Sequence, residues 1–419
     1  MDQPHSIKVN TISQISGKLL AVSCGFLSTV LLRRFLGASG FGDYILIINL
    51  VTLFVSLSDF GTHLVSVNEY SQAKHTGPKI LGNVLILRLI LSLLTTMIFV
   101  LSVLVFVKQT SLQQLFLFSS LLIPLILFKD NLLIIFHSKQ KLYLAALQDL
   151  VIAVLLFIAT LALSIIGPTL LGYFILAIFC YLITIFVFTP IALTKTEISF
   201  EFDKTIIKRL FKKSIPLGLV LALFTIYSKI DTLILKVFTT SAIVGSYGLS
   251  YKVYENLTLP AAYFMNSVLP IFARNLKNKK ITENNYLQKN SIIFLLISSI
   301  VLGAIIFVAT PLIVKLITGS FSINEIIVLR ILCFALPFAY LNHFTGYTII
   351  AFGKQKMSLI ISLLALSINV IANIVFIPRF SLVAASVITV ATEVMVLILS
   401  LYIIRKEIKI KELIKWKII

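Results

Sequence analysis

Apolar residues in this 419-residue chain run in long stretches. They show neither the strict alternation of a half-buried strand nor the narrow stripe of a surface helix. Each stretch has about 20 residues or more, the length at which an α-helix crosses a bilayer while satisfying its own backbone hydrogen bonds. The stretches fall at about 11–32, 42–66, 80–107, 112–136, 143–166, 169–193, 214–238, 242–270, 290–314, 324–350, 357–377 and 382–404. This pattern predicts an all-α polytopic membrane protein of about 12 transmembrane helices. The eighth stretch is the weakest, because Lys252, Glu255 and Asn256 interrupt it. It is retained because without it the basic loop at 274–289 would fall on the wrong side.

The polar gaps carry a second rhythm. Every other gap is basic: Lys74 and Lys79, then Lys139 and Lys141, then Lys195, Lys204, Lys208, Arg209, Lys212 and Lys213. The series continues with Arg274, Lys277, Lys279, Lys280 and Lys289, then Lys354 and Lys356, then a tail at 405–419. With Lys8 this places about 24 basic residues on one side. The other side has about six: Arg33, Arg34, Lys108, Lys236, Lys315 and Arg379. Such a bias over short loops orients the chain with both termini in the cytoplasm. Residues 1–10 are short and polar without a cleavable signal pattern, so the first stretch is read as an uncleaved anchor.

The long basic gap at 194–213 divides the chain into an N-terminal six-helix lobe at 1–200 and a C-terminal one at 201–404, with a basic cytoplasmic tail at 405–419. A weak internal echo agrees: Phe41-Gly42-Asp43-Tyr44 opens the second stretch, and Val244-Gly245-Ser246-Tyr247 opens the eighth. Six spans per half give both halves one orientation, which implies an axis along the membrane normal and a cavity between the lobes. The tail alternates lysines with isoleucine, leucine and Trp416. It suits either a headgroup-associated segment or a solvated positive-inside tail.

Composition narrows the class further. Hydrophobic residues make up 59% of the chain and charged ones 12%, with a mean hydropathy of +1.05. The net charge of +20 sits in small clusters at span ends, which points to anionic headgroups and not to nucleic acid. Cys24, Cys180 and Cys333 all lie in apolar stretches, so neither disulfides nor a metal site is expected. No phosphate-binding GxxxxGK[ST] loop and no HExxH pair occurs, and His5, His63, His75, His137 and His343 are scattered. The expectation is a protein that is not an enzyme and needs no cofactor.

Charges inside the spans carry the functional signal, since one at the bilayer centre costs about 3 kcal/mol on insertion scales. The cations are Lys18, Arg88, Lys129, Lys229, Lys252 and Arg330. They are the candidate substrate-binding residues, because lysine and arginine suit an anionic phosphate or carboxylate group. The acids singled out beside them are Asp59, Asp130, Asp231, Glu255 and Glu393. Of these, Asp59, Asp231, Glu255 and Glu393 are the candidates for coupling to a proton or sodium ion. Lys18, Arg88 and Lys129 sit within about two turns of span ends and can snorkel to the interface. Lys252 and Glu255, three apart, share a helical face and can neutralise each other. Lys229 and Asp231 point in different directions, so each needs a partner on another helix or a polar cavity.

Several stretches together resemble a known family. They are Gly17-Lys18; Arg34-Phe35-Leu36-Gly37 leading to Gly42-Asp43-Tyr44; and Leu57-Ser58-Asp59-Phe60-Gly61 with Val67-Asn68-Glu69. To these add Tyr227-Ser228-Lys229-Ile230-Asp231 running through Leu235 and residues 244–247 to Leu259-Pro260 and Leu269-Pro270. The last is Ser367-Ile368-Asn369-Val370 with Asn373, Ile377-Pro378 and Ala384-Ala385-Ser386. In order and spacing these resemble polysaccharide-unit flippases of the Wzx type, across essentially the whole chain. Two departures are visible: Arg379-Phe380-Ser381 stands where a glycine-rich turn is usual, and Lys18 where arginine is commoner. The resemblance implies export of an undecaprenyl-pyrophosphate-linked O-antigen or polysaccharide unit, from the cytoplasmic to the periplasmic leaflet of a bacterial inner membrane, by alternating access. It implies membrane lipids, a coupling proton or sodium ion, a polysaccharide polymerase and a chain-length regulator as partners, and no nucleic acid. Two alternatives stay open: a cation-coupled multidrug exporter of the same superfamily, and a non-transporting scaffold of the polysaccharide assembly machinery.

Overall fold

A computed structural model describes residues 3–73, 76–278 and 280–405. The basic residues Lys74 and Lys279 and the tail beyond Arg405 lie outside the described residues. Among the described residues thirteen helices follow one another and there is no strand. They are α1 (Gln3–Asp59), α2 (Thr62–Gln72), α3 (Gly77–Phe106), α4 (Thr110–Ser120), α5 (Leu122–Ser138), α6 (Leu142–Ile166) and α7 (Leu170–Leu193). After these come α8 (Lys204–Phe238), α9 (Ser241–Lys277), α10 (Ile281–Thr318), α11 (Ile323–Cys333), α12 (Leu336–Ala351) and α13 (Gln355–Ile404).

Eight helices among the described residues are long and apolar enough to cross a membrane, or nine if α11 and α12, bent by 45°, form one span. The two longest are not continuous. Residues 16–72 contain non-helical backbone at Gly37 and again at Phe60–Gly61, and residues 356–404 contain it at Ser381. Divided at Gly37 and Ser381, and with α9 added, the helices run in the order of the expected stretches. Gly37 and Gly61 have φ of 66° and 75°, left-handed values that glycine adopts without the Cβ clash other residues meet. Ser381 has φ 53°. It occupies the left-handed position of the turn after Ile377-Pro378, the place at which the sequence departs from a glycine.

The chain forms two compact units that divide at Thr225/Ile226, inside α8. The division expected from sequence, at 200/201, lies in the extended segment just before that helix. In the first unit α1 packs along α6, α5 and α7 pack together, and α3 lies against α1 and α5. In the second, α9 lies against α11 and α12, and α13 against α12 and α11. Leu89, Leu93, Met97, Leu101 and Leu104 on α3 are all about half exposed, as a lipid-facing surface requires. Many hydroxyls inside the helices are satisfied locally. Those of Ser28, Thr160, Thr184, Ser214 and Ser386 each donate to the carbonyl four residues back, which removes the cost of a bare polar group in hydrocarbon.

Two features fix the first unit's site. The first is the break between α1 and α2. A Cβ on Gly61 would lie 2.8 Å from the Gly218 nitrogen, and one on Gly218 would lie 2.4 Å from the Phe60 carbonyl oxygen. Backbone touches backbone here, so no side chain fits on either side. The second is the segment before α8, which is sewn to the start of α3. Asn83 donates to the Glu201 carbonyl at 2.8 Å and accepts from the Asp203 amide at 2.8 Å. Lys79 pairs with Asp203 at 3.2 Å. The Ile206 amide, with help from Lys79, holds the Asp203 carboxyl below its usual range.

Candidate functional site

In the first unit the broken helix brings charges together. Asp59 ends α1, and its Oδ2 accepts the Gly61 amide at 3.2 Å. Its Oδ1 accepts from Arg88 Nη1, which also donates to Thr62 Oγ1 at 2.9 Å. Arg88 is 0% exposed. It does not snorkel; it is buried against the break. Nor does Lys129 reach the interface, being held by Asp130 at 3.0 Å and by Asp149 on α6 at 3.1 Å. Between these groups His63 Nε2 and His137 Nδ1 stand 3.2 Å apart. Lys18 is exposed on α1, within electrostatic range of His137.

In the second unit two kinds of acid appear. Glu255 is shared by two cations, Lys229 at 3.0 Å and Lys252 at 3.3 Å. The expected pairing of Lys252 with Glu255 is present, and Lys229 finds its partner across helices. Lys229 also stands 6.0 Å above the Tyr251 ring. Asp231 is 5% exposed, and among the described residues it meets only neutral donors. Its Oδ2 accepts from the Tyr247 hydroxyl at 3.0 Å and Thr389 Oγ1 at 3.2 Å, and its Oδ1 accepts from Asn373 Nδ2 at 2.8 Å. Asn373 Nδ2 also donates to Asn369 Oδ1 at 2.9 Å. Among the described residues the buried Asn373 Oδ1 has no partner. Glu393 likewise meets a neutral donor, Asn342 Nδ2, at 2.6 Å. Arg330 stands apart, with its guanidinium 5.0 Å above the Phe307 ring.

The sequence profile of the family described as polysaccharide biosynthesis protein matches residues 7–276, well over half of the chain. The chain belongs to that family. A second profile, MatE, matches residues 216–375. A curated relative, "Capsular polysaccharide biosynthesis protein CapF" of Staphylococcus aureus, is 29% identical over 209 residues. The alignment covers 48% of this chain and 50% of that protein, so the chain spans about half the length of its curated relative. Among solved structures, an inward-facing multidrug resistance MATE family transporter of the MOP superfamily superposes with a TM-score of 0.78 at 14% identity, covering 94% of this chain and 96% of that one. The lipid II flippase MurJ in an inward closed conformation gives 0.77 at 16% identity, over 95% and 87%. This member of the polysaccharide biosynthesis family is therefore an all-α, multi-pass membrane protein with the fold of transporters and flippases.

Several site residues carry no obvious signal in the sequence. Asp149 lies in an apolar stretch, and its role follows only from the packing of α6 beside α5. Thr389 is an ordinary residue of an apolar helix until Asp231 is placed beside it, and Tyr247, though it belongs to the echo at 244–247, carries no sign there that it meets Asp231. Asn369 and Asn373 do carry a signal, since two amides four apart in an apolar stretch share one helical face.

Proposed function

We propose that the protein is a flippase that moves a lipid-linked, pyrophosphate-bearing polysaccharide unit across the bacterial plasma membrane by alternating access of its two lobes. The observation that carries this reading is the presence of cations inside apolar spans of a chain from the polysaccharide biosynthesis family. Lys18, Arg88, Lys129, Lys229, Lys252 and Arg330 are the proposed headgroup contacts. The sugar-pyrophosphate headgroup crosses through a polar path while the prenyl chain stays in lipid. A negative-inside potential favours outward movement of its charge by roughly 2.3 kcal/mol per charge per 100 mV. The unit carried is of the O-antigen or capsular class, and the polymerase and chain-length regulator of that machinery are the proposed protein partners.

Ion coupling is assigned to the acids, with Asp231 first. Around it stand oxygens of Asp231, Asn369, Asn373, Thr389 and Tyr247. Hard cations select oxygen ligands, and the unpartnered carbonyl of Asn373 offers one more acceptor than the hydrogen bonds use. Sodium as the coupling ion fits this set. Glu393 is the second candidate, Asp59 and Glu255 being taken by cations.

The test is movement of a fluorescent lipid-linked oligosaccharide in proteoliposomes. Lys229→Ala should slow it about tenfold, the size of one charge-assisted hydrogen bond. Glu255 keeps Lys252, so the acid is not orphaned. Lys229→Arg should retain a good part of the rate. Equal rates for wild type and Lys229→Ala would overturn the cationic path. The MatE match over 216–375 supports a second reading, an exporter of amphipathic cations. Export of a cationic dye without saccharide movement would decide for it.

The proposed orientation places both termini and the 194–213 segment in the cytoplasm. A single cysteine at Lys208 should resist an impermeant maleimide in intact cells and react after lysis. Labelling in intact cells would reverse the topology.

A further inference from the structure

The break that ends α1 begins α2, an 11-residue helix capped by Gly61, which has no side chain to offer. The amides of Thr62, His63 and Leu64 have no hydrogen-bond acceptor among the described residues. The N-terminus of α2 therefore presents bare donors and the positive end of a helix dipole. Independently, the Arg88 guanidinium lies against the same turn, bonded to Thr62 Oγ1 at 2.9 Å. Its Nη1 is in use, but its Nε and Nη2 are buried with no partner. That unused edge is the one through which arginine grips two oxygens of a phosphate or carboxylate side by side. Buried guanidinium donors without acceptors are expensive, and such a group calls for a missing occupant.

One anion already sits there. Asp59 accepts from the Gly61 amide and from Arg88 Nη1, and its side chain is 23% exposed where Arg88 is 0%. The accessible face of the site is thus the face that Asp59 covers. We propose that the N-terminus of α2 and the Arg88 guanidinium form a binding site for a phosphate-class oxyanion, with Asp59 as the internal anion that such a ligand displaces. An incoming anion takes over the Gly61 and first-turn amides, frees Asp59, and brings its oxygens to the unused edge of Arg88. Broken helices inside membrane transporters present their N-termini to anionic groups by the same physics. The source of that anion as a lipid-linked pyrophosphate rests on the function proposed above.

The test uses the full chain in nanodiscs of zwitterionic lipid, titrated with inorganic pyrophosphate by calorimetry. Asp59→Asn removes the competing charge and should tighten binding about tenfold. Arg88→Gln should weaken it by at least as much, and Arg88→Lys, which keeps the charge and loses the fork, should fall between. Unchanged or weaker binding by Asp59→Asn, in protein whose melting shows it folded, overturns the proposal. Asp59→Ser carries the same expectation should the asparagine variant fail to fold. Repeating the titration in discs with phosphatidylglycerol separates the sources. A loss of affinity assigns the site to lipid phosphates in general, and an unchanged affinity assigns it to the pyrophosphate group. The expected pattern without saccharide movement in proteoliposomes would overturn the flippase reading and leave this site standing.

Discussion

Asp231→Asn is expected to abolish sodium-dependent stabilisation of the protein and most of its transport. An ion that binds only the folded state adds about 2.7 kcal/mol at one hundred times its dissociation constant. Wild-type protein should therefore melt higher in sodium than in equimolar choline, and the variant should not. The variant has its own cost. Asp231 accepts from Tyr247, Thr389 and Asn373, whereas an asparagine has one acceptor oxygen, and the Tyr247 and Thr389 hydroxyls must turn to accept from its amide. Losing hydrogen bonds to a buried charge costs roughly 1–3 kcal/mol, so the comparison must be the sodium increment within each protein and not the absolute melting point. Thr389→Val should weaken the sodium increment while Asp231 keeps its charge. A wild-type increment of zero would remove sodium from the site and leave a proton as the coupling ion. An increment that survives in Asp231→Asn would place the ion elsewhere.

Much of the architecture is legible in the sequence because the bilayer imposes one length and one polarity on every span. The stretch at 242–270 shows where hydropathy fails: α9 holds Lys252, Glu255 and Asn256, and only the alternation of basic loops argues for it. The breaks are harder to read. Asp59-Phe60-Gly61 can be noticed as a motif, yet nothing in it says that Gly218, far along the chain, meets the Phe60 carbonyl through bare backbone. Burial is harder still. Distance from a span end suggests that Arg88 and Lys129 reach the interface, but tertiary partners outweigh the reach of a long side chain when an acid waits on the next helix. The difference between Asp231 and Glu255 is only half visible in sequence, where Lys252 three residues before Glu255 offers that acid a local cation. Packing supplies the rest, bringing Lys229 to Glu255 and, among the described residues, neutral donors to Asp231. That difference decides which acid is free to hold an ion.

Lys129→Met should be among the most destabilising single changes in the first unit. Lys129 is 8% exposed and pairs with two acids, Asp130 at 3.0 Å and Asp149 at 3.1 Å. Removing one partner of a buried ion pair leaves an uncompensated charge and costs about 3–5 kcal/mol. The lower end applies here, because the side chains of Asp130 and Asp149 are 29% and 37% exposed and water screens what is left. Methionine keeps most of the packed volume, so the loss is one of charge and not of a cavity. The same acids then supply the rescue. Asp149→Asn combined with Lys129→Met removes one stranded carboxylate and should recover about half of the lost stability. Asp149→Asn alone should cost little, since Lys129 retains Asp130. The measurement is a thermal melt of each variant and of the double variant in one detergent, read as a double-mutant cycle. Additive losses would mean that Lys129 packs against α6 without serving its acids. A coupling of about 1–3 kcal/mol would show that the charge network holds α5 to α6.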